Sequence, residues 1–264
     1  MKKWFFIMLL LFSFILAGCD WTANYDDTYQ SFEEHLISQN DIYLDRIDLL
    51  NHLTEEALSG IVKIRKSSSS LISNSFGSGL IFDEDPFYYY VLTNNHIVYD
   101  TDIGGSIYQV YDYKNNLYNA TYMTSSSLYD LAVLRIRKKD ISLHVFQFAK
   151  ENPDVETHLI TMGYPESQLN TIHMGIVEQY GIVSIDADIN VINVTFDVIY
   201  AAIPVKSGSS GSATINDQFE LVGIVFAGNF PINETIADYA FIIPIEQVKT
   251  FLTTNEFNYH EVTS

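Results

Sequence analysis

Cysteine is nearly missing from this 264-residue chain. Cys19 is the single one, so no disulfide can form within the molecule and the fold must rest on its packed core. Basic side chains are scarce as well, 14 Lys and Arg against 33 Asp and Glu, and the formal charge of -19 excludes binding of nucleic acid or anionic lipid by charge. Long hydrophobic runs are confined to the N-terminus, where Trp4 to Phe12 is short for a stable membrane span. No cysteine or histidine cluster has the spacing of metal ligands and no glycine-rich phosphate loop occurs, so neither a metal nor a cofactor is expected.

What is present is apolar and aromatic, 47% and 14% of residues, enough for a sizeable core. Residues 1–18 combine Lys2 and Lys3 with the apolar runs Trp4 to Phe12 and Phe14 to Ala17, the pattern of an export signal. Leu16-Ala17-Gly18-Cys19 resembles a bacterial lipobox, which makes Cys19 the expected site of lipid attachment and places the chain on the outer face of a bacterial cell membrane. Residues 19–58 read as a tether and an amphipathic helical segment, with acids such as Glu33 and Glu34 among apolar residues such as Ile42, Ile47, Leu50 and Leu53. From Ile61 onward the period changes to short apolar strands, among them Ile61 to Ile64, Leu80 to Phe82, Tyr88 to Leu92, Ile107 to Tyr111 and Leu131 to Ile136. Turn residues separate them, without helices between, which implies an all-β barrel or sandwich.

Three stretches carry chemistry. Lys206 to Ser212 is a glycine- and serine-rich turn between the apolar runs Phe196 to Val205, read as one buried strand, and Leu221 to Ala227. Gly208 and Gly211 permit a tight fold that aims successive N–H groups and the Ser210 hydroxyl at one point, the geometry of a nucleophile beside an oxyanion hole. A serine hydroxyl needs a base, and the base needs an acid to hold its tautomer. In Val91-Leu92-Thr93-Asn94-Asn95-His96-Ile97-Val98 a strand delivers one histidine to its end, a setting the other six histidines lack. In Tyr129-Asp130-Leu131-Ala132-Val133-Leu134 an acid borders a strand that should be buried, where it is costly without a donor. His96 could be that donor.

Gly77-Ser78-Gly79, the Thr-Asn-Asn-His block, the Asp-Leu-Ala-Val-Leu block and the Gly-Ser-Ser-Gly-Ser block stand in the order and spacing of trypsin-like serine peptidases, and the bacterial HtrA (Deg) branch is the most similar. Met162-Gly163-Tyr164-Pro165, Gly175-Ile176-Val177 and Phe241 to Ile245 continue the resemblance, which covers roughly residues 58 to 255. It implies two six-stranded antiparallel β-barrels, residues 59–150 carrying His96 and Asp130 and residues 151–243 carrying Ser210, followed by a C-terminal helix and tail over 244–264. On that mapping Ser210 is the nucleophile, His96 the general base and Asp130 its orienting acid, with an oxyanion hole from Gly208, Ser209 and Ser210. The substrate pocket would lie among Ile203, Val225, Phe226, Ala227 and Gly228 and, having no acid, would favour a small or medium apolar side chain.

The chain departs from the branch at Ser212 and Ala213, where glycine and proline are common, and after Pro244 it leaves room for about one helix rather than a peptide-binding PDZ domain. The resemblance implies protein or peptide substrates and brings the expectation of a homo-oligomer. The competing reading is a catalytically silent barrel scaffold that binds a partner at the cell surface. An esterase of the α/β-hydrolase type is disfavoured, because the Gly-x-Ser-x-Gly elbow and alternating helices are missing.

Overall fold

The computed structural model describes residues 52–53, 56–68, 75–99, 105–167, 171–185, 192–231 and 234–263. The chain divides into two units, Met1–His52 and Leu53–Ser264, and nearly all described residues belong to the second. The signal segment, Cys19 and the amphipathic stretch up to residue 51 lie outside the described residues.

Six strands close the first barrel: β1 (Ile61–Ser68), β2 (Ser75–Glu84), β3 (Tyr88–Thr93), β4 (Ser106–Tyr111), β5 (Leu117–Ser126) and β6 (Leu131–Arg137), in the order β1-β2-β3-β6-β5-β4 with antiparallel neighbours. Inward-facing Val62, Ile64, Ile81, Val91, Val110, Leu134 and Ile136 fill it. Closure requires strands to bend, and register shifts at Ile81/Asp83 and Tyr122/Thr124 supply bends there. Between β3 and β4 the chain makes a single helical turn, α1 (Asn95–Val98).

The second barrel follows the same plan. It contains β7 (His158–Gly163), β8 (Thr171–Gly181), β11 (Val198–Ala201), β13 (Ala213–Ile215), β14 (Leu221–Gly228) and β16 (Ala240–Pro244), closed in the order β11-β16-β14-β13-β7-β8 around Leu159, Val177, Ile199, Val225 and Ile242. Two small ribbons stand outside it: β9 (Ser184–Ile185) with β10 (Ile192–Asn193), and β12 (Val205–Lys206) with β15 (Ile236–Ala237). The apolar run 196 to 205 is therefore not the one strand its hydrophobicity suggests. Ile203 N–H turns back onto the Ala201 carbonyl at 2.8 Å, and Pro204 has no N–H to offer a ladder, so the chain leaves the barrel and resumes as β12.

A longer helix, α2 (Ile245–Thr254), packs on β14 and β16 through Val248, Phe251 and Leu252. Phe251 also meets Tyr129, which stacks on Phe196 at 5.9 Å, so the residue before Asp130 is braced by the second half of the chain. The tail then returns to the first barrel, where Phe257 packs against Phe82 and Tyr90, and Phe148 N–H donates to the His260 carbonyl at 2.7 Å. Helix and tail together fix one barrel against the other.

Candidate active site

β3 ends at Thr93, and Asn94 holds an extended backbone that starts α1, so His96 is carried on a short turn anchored by a buried strand. Asp130 stands at the head of β6 and is buried, with 2% of its surface exposed. Its backbone takes φ 50°, a left-handed conformation costly for a side-chain-bearing residue and retained only where the surroundings enforce it. They do so here. The Asp130 carbonyl accepts from Asn95 N–H at 3.1 Å and from Asn94 Nδ2 at 2.9 Å, while its carboxylate accepts His96 N–H at Oδ1 (2.9 Å) and His96 Nδ1 at Oδ2 (2.7 Å). An ionised carboxylate can only accept, so Nδ1 carries the proton and Nε2 is left as the basic nitrogen. The same two contacts that compensate the buried charge fix the tautomer of the ring.

Ser210 lies on the turn between β12 and β13. Its hydroxyl donates to the Phe226 carbonyl at 3.3 Å and makes no bond to His96, but both side chains line one cavity of about 230 Å³. In unliganded sites catalytic hydrogen bonds are often long or poorly aligned and tighten when substrate binds.

The turn is pinned peptide by peptide. Ser207 C=O accepts Glu166 N–H at 2.7 Å, Ser209 C=O accepts Ser212 N–H at 2.9 Å, and Ser209 N–H donates to the Lys206 carbonyl at 3.0 Å. In a trans peptide the N–H and C=O point in opposite directions, so holding Ser207 O and Ser209 O turns the Gly208 and Ser210 N–H groups the other way. Those two amides have no acceptor among the described residues. Ser209, expected as a third donor, differs: its amide is engaged with Lys206, and its hydroxyl accepts Lys206 N–H at 3.1 Å. Gly208 and Gly211, at φ 91° and 86°, make the turn, and a Cβ on Gly211 would lie 1.9 Å from the Ser78 carbonyl oxygen.

The cavity is lined by Val205, Lys206, Val225 and Ala227, with Phe76 and Phe230 at its sides. Of the pocket residues expected from sequence, Val225 and Ala227 are there. Ile203 is instead buried in the second core, because the chain reverses at that point. Phe226 offers its carbonyl to Ser210 while its ring is buried, at the point where the register of β14 against β16 shifts. Gly228 faces Val205 and Ala237 rather than the cavity: a Cβ there would meet them at 2.5 and 2.8 Å. Phe76 and Phe230 were missed, although each lies within two residues of a glycine in the blocks already singled out, Gly77 and Gly228.

Lys206 brings a charge to the rim. Its ammonium is paired with Glu166 at 3.1 Å, a partly exposed ion pair worth little in stability. His173 on β8 is nearby: burial first, and the Lys206 ammonium second, hold it below the ordinary histidine value of 6.5.

Comparison with known proteins agrees with the two-barrel fold. The family model described as a trypsin-like peptidase domain matches residues 77–224, more than half of the chain. The chain belongs to the trypsin-like peptidase family. It is 29% identical over 174 residues to the serine endoprotease DegS of Haemophilus influenzae, a match that takes in 66% of this chain and 48% of that protein. The chain thus spans about half the length of this curated relative. Among solved structures, the active form of the Rv3671c protease from M. tuberculosis superposes with a TM-score of 0.64 at 22% identity, over 81% of this chain and 88% of that one. The HtrA-type protease AlgW, solved with a tripeptide, superposes with a TM-score of 0.62 at 20% identity, over 78% of this chain and 62% of that one. At these identities the superpositions speak for the fold.

The position of His173 has a measurable consequence. Below pH 6.5 the unfolded chain takes up a proton that the folded protein resists, so stability is full above that value and declines as the pH falls through it. His173→Gln should lessen the fall in urea midpoint between pH 7 and pH 5. Equal falls in variant and parent would contradict this account of the residue.

Proposed function

We propose that the chain is a serine endopeptidase that hydrolyses peptide bonds of proteins outside the cytoplasm through an acyl-enzyme. The observation that carries the reading is the buried Asp130 carboxylate bonded twice to His96, opening on a cavity shared with Ser210 and with the acceptor-free amides of Gly208 and Ser210. In the first half-reaction Ser210 Oγ forms a bond to the substrate carbonyl carbon while His96 Nε2 takes its proton. The carbonyl oxygen becomes an oxyanion held by the two amides. His96 then gives the proton to the leaving amine as the C–N bond breaks, leaving an ester on Ser210. Water, deprotonated by His96, adds to the ester, and the C–O bond to Ser210 breaks with return of the proton. Asp130 keeps the ring oriented and stabilises its charged form in both halves.

Val205, Val225 and Ala227 support preference for a small or medium apolar side chain before the scissile bond, and pairing with Glu166 draws the Lys206 charge toward the rim. The signal segment and Leu16-Ala17-Gly18-Cys19 support export and anchoring to the membrane by a lipid on Cys19, with quality control or processing of exported proteins as the role. A homo-oligomer is compatible with this reading. The bond from Ser210 to the Phe226 carbonyl favours a second reading, a silent scaffold whose serine is never activated.

A fluorophosphonate probe separates the two, because it reacts with a serine that has a working base and an oxyanion hole. The full-length protein should be labelled, Ser210→Ala and His96→Ala should not, and Asp130→Asn should react about ten-thousandfold more slowly. An unlabelled parent protein, with membranes and unfolded protein supplied, would leave the scaffold reading standing. For the anchor, Cys19→Ala should move the protein from the membrane fraction to the soluble one, and its retention on membranes would overturn the lipid attachment.

A further inference from the structure

Ser78 lies on β2 of the first barrel, yet its polar atoms serve the serine turn of the second. It is fully buried, at 0% exposure. Its hydroxyl accepts Tyr164 N–H at 2.8 Å and donates to the Gly208 carbonyl at 2.8 Å. Its own N–H donates to the Ser210 carbonyl at 2.7 Å, and its carbonyl accepts the Thr93 hydroxyl at 2.7 Å, three residues before His96. Both the hydroxyl and the backbone are fully engaged, and each partner belongs to the machinery described above or adjoins it.

Three glycines make room for this approach. A Cβ on Gly163 would lie 2.7 Å from Ser78 Oγ, one on Gly211 would lie 1.9 Å from Ser78 O, and one on Gly77 would lie 3.0 Å from Ser210 O. A Cβ on Gly163 would meet the Ser212 hydroxyl even closer, at 1.9 Å, and one on Gly77 would first meet the Ile97 side chain at 2.8 Å, so at Gly211 alone is the nearest atom one of Ser78's. The close packing explains why glycines recur in three separate blocks of the sequence.

We propose, on the reading of this site as a serine endopeptidase, that Ser78 is a positioning residue for the oxyanion hole. Four consecutive peptides make up the turn. The peptides 207–208 and 209–210 present their N–H groups to the substrate oxygen. The two that alternate with them, 208–209 and 210–211, are held through their carbonyls by the Ser78 hydroxyl and the Ser78 amide. Rotation of a presenting peptide requires its neighbours to move, so fixing the alternate pair fixes the aim of the donors. A small misplacement of such donors is enough to cost orders of magnitude in rate. Removal of the hydroxyl leaves the Gly208 carbonyl and the Tyr164 N–H buried without a partner and frees the 208–209 peptide to turn.

A matched control exists within the same chain. Ser59 is also buried, and its hydroxyl accepts His144 N–H at 3.1 Å and donates to the Glu56 carbonyl at 2.7 Å, but it touches nothing at the site. The experiment compares full-length Ser78→Ala, Ser78→Cys and Ser59→Ala in fluorophosphonate inactivation, separating the maximal inactivation rate from probe affinity and recording the pH midpoint. Ser78→Ala should lower the maximal rate about ten- to a hundredfold with affinity and pH midpoint unchanged. Ser78→Cys, whose thiol fills the space and donates weakly, should fall between it and the parent. Ser59→Ala should react like the parent at similar cost in urea midpoint. The proposal is overturned if Ser78→Ala reacts at the parental rate, if its loss lies in affinity or is matched by Ser59→Ala, or, should Ser78→Ala not fold, if Ser78→Cys reacts at the parental rate. A parent protein that does not react at all overturns instead the endopeptidase reading on which the proposal rests.

Discussion

A buried carboxylate must be supplied with donors, and at Asp130 that requirement shapes the site. Asp130 sits in a strained backbone at the head of a buried strand, and its charge is tolerable there because His96 donates to it from both its ring and its backbone. The arrangement solves a folding problem and a chemical one together. The same contact that compensates the charge leaves Nε2 as the basic nitrogen of a ring that lines the cavity. Asn94 and Asn95 hold the Asp130 carbonyl, so the turn carrying His96 and the strand carrying Asp130 are locked as one body.

The nucleophile comes from the other barrel, so its position depends on how the two halves are joined. Ser78 reaches across to the serine turn, Phe251 of α2 packs on Tyr129, and the tail returns from α2 to Phe82 and Phe148. None of these contacts uses a disulfide, which a chain with one cysteine could not form. Ring packing and hydrogen bonding align the two halves. At the rim of the serine turn the Lys206–Glu166 ion pair is partly exposed and contributes little.

Much of this was legible in the sequence because strand and turn signals are local. The short apolar stretches Ile61 to Ile64 and Leu131 to Ile136 announce barrel strands, and a lone histidine or acid at a strand end announces that a scaffold is aiming it. What was not legible depends on three-dimensional contacts. Ile203 reads as pocket-lining but is buried, because the reversal at Ala201 to Pro204 is visible only as a hydrogen bond. The direction of the Ser209 amide likewise follows from a turn closed onto Lys206, and composition cannot report which N–H of a glycine-rich loop is already engaged. Ser78 read as one more small residue in a glycine-flanked block, since its four partners lie at distant positions in the chain.

The central claim is that His96, Asp130 and Ser210 act as one unit that acylates the serine. Rapid mixing of the full-length protein with a peptide p-nitrophenyl ester carrying valine before the ester tests it most directly, because an acyl-enzyme that forms faster than it hydrolyses releases its first product in a burst. The account predicts a burst close to one equivalent of nitrophenol per active chain, absent in Ser210→Ala. Steady release without a burst in the parent, or an undiminished burst in Ser210→Ala, would contradict it.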